Sequence, residues 1–577
     1  MSVNCEQLNV GAKAAAQSGV NDDVGVEQLS KQLHLSIRRE EGAVRPRPRS
    51  RWLPVHSSSL NLVSRTVAGL AVTAAVLLAT ASAAVAEPAA PAASALVVPR
   101  NADQLLPPAP PAPAAPPTTG VVTPVALEGG GGLSVLGWVG AGVLVLLSLL
   151  MTAVAGTTLW WMLHAWNTPE ALTNTSFRRR EHVPSRAFSL LVPARHEEVV
   201  LGQTLDSLAA MDHPDFEVLA IIGHDDPGTE AVARAAAARH PGVVRVVIDS
   251  NVPKNKPKAL NTALLQCRGD VVGVFDAEDD VHPDLLRLVD MRFADTGADV
   301  VQGGVQLMNI HSSWWSMRNC LEYYFWFRSR LHFQAAQNFI PLGGNTVFMR
   351  TALLREYDGW DEGCLAEDCE IGVRLSTAGA KVAVAYDPEV VTREETPDTI
   401  ASLVKQRTRW DQGFLQVLGK GVWKQIPTRR ARWLARYTLA MPFLQAFTGV
   451  MIPISLVVMF TVKVPTAITL LTFLPLVPTL ITVAVEMAGL DDFARSFGLK
   501  ARVRDYVKLV LGVFPYQVLL AFAALRSVWR QARGENSWEK TAHSNLHRTA
   551  TADTAPGVGA RQPVAGAGAL QPAGGSR

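Results

Sequence analysis

A chain of 577 residues exceeds one ordinary domain and can bury a large core. Its net charge of +3 points to no polyanionic partner, and no interleaved basic and aromatic groove suggests a nucleic-acid surface. Apolar residues make up 48% of it, gathered towards both ends around a mixed segment, an order that reads as membrane, soluble domain, membrane.

Residues 1–64 are polar and carry a Pro- and Arg-rich basic run over 38–51, a composition that predicts disorder. The Val/Ala/Leu stretch 65–86 has the length that spans hydrocarbon. It closes on Ala84-Val85-Ala86, which resembles a signal-peptidase site, but the preceding segment is too long for a signal n-region and an uncleaved helix is expected. Residues 87–132 are a Pro- and Ala-rich linker ending in four glycines, with no means to bury a core. A second spanning helix is expected over 133–163, anchored by Trp138, Trp160 and Trp161. The basic runs 38–51 and 178–180 both read as cytoplasmic, which puts the linker outside and the central domain inside a cell membrane. The five cysteines, Cys5, Cys267, Cys320, Cys364 and Cys369, are odd in number and scattered, so reduced thiols are expected rather than disulfides or a zinc site.

Over 186–419 the pattern changes. Short apolar runs at 188–192, 216–222, 243–248 and 271–275 alternate with helical stretches such as 200–211 and 230–239, which predicts a parallel α/β sheet. Ligands in such sheets sit beyond the carboxyl ends of the strands. The region 428–530 combines a basic, aromatic segment suited to a membrane surface with candidate spans at 437–460, 464–487 and 509–525. The last span holds Pro515 and has basic residues on both flanks, so a re-entrant or interfacial path is expected. Glu486, near the end of a span, is expected at an interface. The tail 550–577 is Gly/Ala/Pro-rich and expected to be disordered.

Acidic residues recur at the strand ends: Asp225 and Asp226 after one, then Asp276, Glu278, Asp279 and Asp280 after another. Asp favours turns and helix caps, but two clusters at successive strand ends suit a cation bridging carboxylates to a diphosphate. Further on, Glu367-Asp368 offers a carboxylate able to take a hydroxyl proton. In Gln406-Arg407-Thr408-Arg409-Trp410 an Arg can clamp a diphosphate leaving group and a Trp can face a sugar ring; the competing reading is an interfacial basic helix.

The ordered set resembles the processive family 2 glycosyltransferases: the cellulose, hyaluronan, chitin and poly-N-acetylglucosamine synthases. The resemblance covers roughly 189–413. Residues 191–198, with Glu197, look like the opening strand and nucleotide-contacting loop, with His196 where Asn is usual. Asp225 or Asp226 resembles the first conserved Asp, and Lys256-Pro257-Lys258-Ala259-Leu260-Asn261 the segment along the donor, with Lys258 as its cation. Asp276-Ala277-Glu278-Asp279 is similar to the DxD motif, Glu278 or the shifted Asp279 standing where the second Asp belongs. Gly343-Gly344-Asn345 resembles the acceptor-side loop, Glu367-Asp368 the TED motif with Ala366 for Thr, and Gln406, Arg407, Arg409 and Trp410 match QxxRW. Trp538-Glu539-Lys540-Thr541 is similar to a C-terminal feature of some bacterial members.

The resemblance implies a GT-A-like α/β domain between transmembrane helices, using Mg²⁺ or Mn²⁺ held by Asp276, Glu278 and Asp279. It implies a UDP-sugar donor bound by Glu197, Asp225, Asp226, Lys258, Asp276 and Arg409. An acceptor would be met by Gly344, Asn345, Glu367, Gln406, Arg407 and Trp410, with Asp368 as general base. The expected reaction is inverting transfer to a growing polysaccharide, coupled to export. The alternatives are a non-processive transferase acting on a lipid or short glycan, and a nucleotide-binding transport or scaffold protein.

Overall fold

The computed structural model describes residues 135–167, 175–461, 465–537 and 539. The expected apolar segment 65–86, the linker 87–132, the basic N-terminal region and the tail from 550 lie outside them.

Helix α1 (Val135–Asn167) is apolar on all sides, and α2 (Ser176–Glu181) leads from it into the central domain. There the elements alternate as the apolar runs predict: β1 (Phe188–Ala194), α3 (Leu201–Ala209), β2 (Phe216–Gly223), α4 (Pro227–Arg239), β3 (Val244–Asp249), α5 (Lys256–Leu264), β4 (Val271–Val274) and α6 (Leu285–Thr296). Local chemistry sets the starts. The Asp226 side chain caps α4 by accepting from Thr229 N–H, and Asn255 caps α5 by accepting from Lys258 N–H at 3.0 Å. Pro sits in the first turn of both helices, where no N–H is needed.

Short β5 (Val300–Gly303) and β6 (Val305–Leu307) precede α7 (Trp314–Phe325), a π-helical segment Trp326–Arg330, and α8 (Leu331–Ala336). Then come β7 (Val347–Arg350), α9 (Thr351–Glu356), α10 (Glu367–Thr377), β8 (Val382–Ala385), β9 (Thr392–Glu394) and the long α11 (Ile400–Lys420). Thr399 caps α11, and Gly421 ends it with φ +70, a conformation that favours glycine.

Seven strands form one sheet in the order β3-β2-β1-β4-β7-β5-β8, and β6 pairs with β9 in a second. The expectation of a parallel sheet needs correction: β7 runs antiparallel to both β4 and β5, so the sheet is mixed. Short apolar strands report burial on both faces but carry no mark of direction. Along β1, Leu190 and Val192 point into one apolar layer with α3 and α6, and Leu191 into the other with α5 and α7, all fully buried.

After α11 the chain forms α12 (Arg429–Leu439), α13 (Met441–Thr461), α14 (Thr466–Thr472), α15 (Leu476–Ser496), α16 (Val503–Leu511) and α17 (Val513–Arg533). Among the described residues two helical stretches, Gly137–His164 and Thr466–Ser496, are long and apolar enough to cross a membrane. Four do so if the bent pairs α12/α13 (49°) and α16/α17 (45°) each count as one span. The expected third span, 509–525, breaks at Gly512 between α16 and α17, so its basic flanks fall on two differently directed helices. Ion pairs fasten these helices to the domain: Arg318 of α7 to Glu486 of α15 at 2.7 Å, and Arg328 to Asp492 at 2.5 Å. Glu486 is therefore a paired group, not a bare interfacial one. The four described cysteines are free and buried.

Candidate active site

A single cavity of about 2260 Å³ begins beyond the carboxyl ends of β1 and β4 and continues between α1, α13, α15 and α17. Glu197, Asp276, Glu278, Gly344, Asn345, Glu367, Asp368, Gln406, Arg407, Arg409 and Trp410 all line it. Strand β4 ends so that Asp276 and Glu278 face the cavity, while Asp279 turns inward. Its carboxylate accepts from Asp276 N–H at 2.9 Å and from Asn345 Nδ2 at 2.9 Å, and it is fully buried. Asn345 also donates to Glu394. Thus Asp279 and Asn345 organise the turn, and Glu278 is the carboxylate beside Asp276 on the cavity wall.

The carboxylates crowd one another. Burial, then the neighbouring Asp276 and Asp279, push Glu278 up to about 8. Burial followed by Asp276 raises Asp279, and burial followed by Asp279 raises Glu394. Such a donor set, hard oxygens whose mutual repulsion a dication relieves, fits Mg²⁺ or Mn²⁺ on Asp276 and Glu278.

Lys256, the first residue of α5, extends into this acidic site. Its Nζ donates to Asp276 Oδ1 at 2.5 Å and to the Gly344 carbonyl at 2.9 Å. Burial works against its charge, but Asp276, Glu367 and Asp368 outweigh that and raise its pKa. The donor cation expected at Lys258 is not brought to the cavity: its Nζ turns back to the carbonyls of Val252 and Pro253. Two residues along a helix rotate a side chain by roughly 200°, so only one of the two lysines can face the site.

Glu367 and Asp368 open α10, where the helix N-terminus favours carboxylates. A Cβ at Gly344 would lie 3.1 Å from Asp368 Oδ2, so a glycine there lets the backbone approach. Burial raises both carboxyls, and Lys256 and Arg409 oppose that rise. Arg409 extends from α11 to the same group; burial lowers its pKa while Glu367, Asp276 and Asp368 hold its charge. Asp276, Asp368 and Arg409 therefore line one cavity within electrostatic reach of each other.

The rest of the QxxRW residues divide. Arg407 is clamped by Glu322 at 2.7 Å and by Asn319, so it braces α11 on α7. Its guanidinium lies 4.9 Å from the Trp410 ring centroid, and Tyr323 lies 6.2 Å from that ring, which fixes the indole at the cavity wall. Gln406 is buried, and among the described residues its side-chain oxygen accepts no hydrogen bond.

Asp225 pairs with Arg195 at 3.0 Å, and Asp226 accepts from His196 and Thr229 N–H; neither lines the cavity. Glu197 stands on the β1–α3 loop they secure. His196, Glu198 and Asp226 have ligand atoms within 4.8 Å of each other, though Asp226 is spent on that loop. Sequence reasoning missed Lys256, Tyr323 and Glu394. Lys256 sits inside the motif read, Glu394 closes the three-residue strand β9, too short to show as an apolar run, and Tyr323 lies where no local pattern marks it.

Helix α11 reaches the α10 N-terminus at Gly413, where a Cβ would fall 2.3 Å from that of Ala366. Gly413→Ala is expected to cost about 1–3 kcal/mol of overpacking and to displace Glu367 and Asp368. A lowered melting temperature together with reduced turnover checks this.

A family model described as glycosyltransferase like family 2 matches residues 184–413. The central domain is a family 2 glycosyltransferase domain. A β-monoglucosyldiacylglycerol synthase of Synechocystis is 29% identical over 44% of this chain and 53% of that protein. A poly-β-1,6-N-acetyl-D-glucosamine synthase of Staphylococcus epidermidis is 25% identical over 48% of this chain and 65% of that one. The chain spans about half the length of the curated relatives it matches. Among solved structures, a Pyrobaculum calidifontis mannosyltransferase in complex with GDP-Man and Mn²⁺ aligns over 68% of this chain and 99% of that one, at 16% identity and a TM-score of 0.40. Of the candidate site residues, all but Asp225, Asp226, Lys258 and Asp279 line the cavity.

Proposed function

We propose that this chain is a membrane-bound inverting glycosyltransferase that moves a sugar from a nucleotide-sugar donor to an acceptor hydroxyl at the cytoplasmic face of the cell membrane. The observation that carries the reading is the meeting of Asp276, Glu278, Lys256, Glu367, Asp368 and Arg409 around one cavity. Asp276 and Glu278 would hold Mg²⁺ or Mn²⁺, which supplies charge neutralisation of the departing diphosphate. Arg409 adds positive charge on the same leaving group as the glycosidic C–O bond breaks. Asp368 takes the proton of the acceptor hydroxyl, whose oxygen attacks the anomeric carbon from the opposite face. Trp410 supports the acceptor sugar or headgroup, and Lys256 holds Asp276 and the Gly344 loop in place.

Two acceptor classes follow from the sequence, a growing polysaccharide and a lipid or short glycan. The helix-lined part of the cavity is mainly apolar, with Leu144, Met151, Leu444, Ile452, Val483 and Phe522 among polar residues such as Gln445, Thr448, Thr482 and Gln517, and that apolar share favours a lipid. The Synechocystis relative's name, a diacylglycerol-glucosylating synthase, is in keeping with that.

Incubating the full chain in lipid nanodiscs with a panel of labelled UDP- and GDP-sugars and Mn²⁺ tests the reading. Metal-dependent transfer or donor hydrolysis is expected; no turnover of any donor would remove the assignment. The raised pKa of the Glu367/Asp368 pair also sets a pH dependence. Asp368 must be ionised to accept a proton, so activity falls as pH drops, with an acid limb displaced upward from the usual carboxylate range. Glu367→Gln removes a like charge, stabilises the Asp368 anion and moves that limb to lower pH. A pH profile of kcat/KM unchanged by Glu367→Gln would count against the coupling.

A further inference from the structure

Arg330 ends the π-helical segment and lines the cavity where its catalytic part meets its helix-lined part. The segment is tied to α1, because Ser329 Oγ donates to the Trp161 carbonyl. The Arg330 guanidinium is stacked between two indoles, 4.1 Å from the Trp161 ring centroid and 4.5 Å from that of Trp326. Stacking uses the two flat faces of a guanidinium and leaves its in-plane N–H groups unspent. Among the described residues no carboxylate forms an ion pair with Arg330 and its Nε donates to no acceptor, while Tyr437 and the Glu322 carboxylate act on its charge from further away. The contrast with its neighbours is sharp: Arg318, Arg328 and Arg407 each hold a carboxylate. Burial draws Arg330 down to about 10, so it stays charged at neutral pH. A fixed cation with unused donors, in a cavity that is apolar on one side, calls for an anion that arrives with the ligand.

Its position relative to the reaction is also set. Phe327, one residue triplet earlier, has its ring edge 3.5 Å from where a Cβ on Gly343 would stand, and Gly344 abuts Asp368. Arg330 is about one helical turn from Phe327 in the same segment, a distance the headgroup of a lipid can span.

We propose that the acceptor is an anionic, hydroxyl-bearing lipid whose acyl chains occupy the cavity between α1, α13, α15 and α17, and whose phosphate is read by Arg330. The proposal rests on the glycosyltransferase reading above and narrows its acceptor. The lipid hydroxyl oxygen forms the new bond to the anomeric carbon, the bond to the nucleoside diphosphate breaks, and the proton passes to Asp368.

The test uses the full chain in phosphatidylcholine nanodiscs doped with either phosphatidylglycerol or diacylglycerol, with a donor found active in the nucleotide-sugar panel. Glycosylated phosphatidylglycerol is expected, with a KM about tenfold below that for diacylglycerol. Arg330→Gln should raise the phosphatidylglycerol KM about tenfold and leave that for diacylglycerol in place, with Arg330→Lys intermediate. If Arg330→Gln does not fold, the wild-type preference and the Lys variant carry the test. Equal use of the two lipids, or a KM indifferent to Arg330, overturns the charge inference and leaves the transferase reading standing. Donor hydrolysis with sugar delivered to neither lipid, or only to soluble oligosaccharides, overturns the lipid acceptor. Absence of any donor turnover removes both readings.

Discussion

Asp368→Asn is expected to fold, insert and bind donor while losing about 10²–10⁴-fold in transfer rate. The replacement keeps the shape and keeps an oxygen for the Cys369 N–H that Asp368 Oδ1 now accepts at 2.7 Å. What it removes is the lone pair that takes the acceptor proton. No other cavity carboxylate stands in easily. Asp276 is held by Lys256 at 2.5 Å and serves the donor side, and Glu278 lies beside it. Glu367 adjoins Asp368 but is buried at the α10 N-terminus. Transfer measured at saturating donor and acceptor, with equilibrium binding of the nucleoside diphosphate as control, decides the matter. A variant retaining more than about a tenth of wild-type transfer would take Asp368 out of the base role.

How far the site was legible follows from which residues sit in local patterns. Asp276, Glu278, Glu367, Asp368, Arg409 and Trp410 stand at strand ends, a helix start and one amphipathic helix, where residue type and spacing betray function. The resemblance gave the turn residue Asp279 to the metal and the loop amide Asn345 to the acceptor, because chemistry alone suits either to a ligand or a brace. Only their mutual hydrogen bond makes them braces. Asp225 and Asp226 read as ligands because Asp after a strand suits both roles, yet the loop spends Asp226 on two backbone N–H groups. In the fold, strand and helix positions followed from apolar period, but the reversed strand β7 did not: a four-residue run, Val347–Arg350, buried between β4 and β5, pairs equally well in either sense by composition. The cavity's continuation among the apolar helices was likewise invisible, because it depends on how four helices splay and not on any one of them.

The two lysines of Lys256-Pro257-Lys258 provide the sharpest separation between motif and geometry. Lys256→Met is expected to lower kcat/KM by about 100-fold, and Lys258→Met by no more than about threefold. Lys256 neutralises Asp276 directly, fastens the Gly344 carbonyl at 2.9 Å and lies within electrostatic reach of Glu367 and Asp368. Without it three carboxylates share a buried wall with Arg409 as their remaining cation among the groups that act on them, and the Gly344 loop loses its tie to α5. Among the described residues Lys258 by contrast reaches two carbonyls of its own preceding loop. Folding must be checked separately, since Lys256 is largely buried and its loss leaves the half-exposed Asp276 without its ion-pair partner. Thermal unfolding and a Lys256→Arg variant, which keeps the charge, distinguish lost function from lost fold. Equal losses from the two Met substitutions would mean that the α5 lysines act through the bulk charge of the cavity mouth, and that the Lys256–Asp276 contact has no special part in transfer.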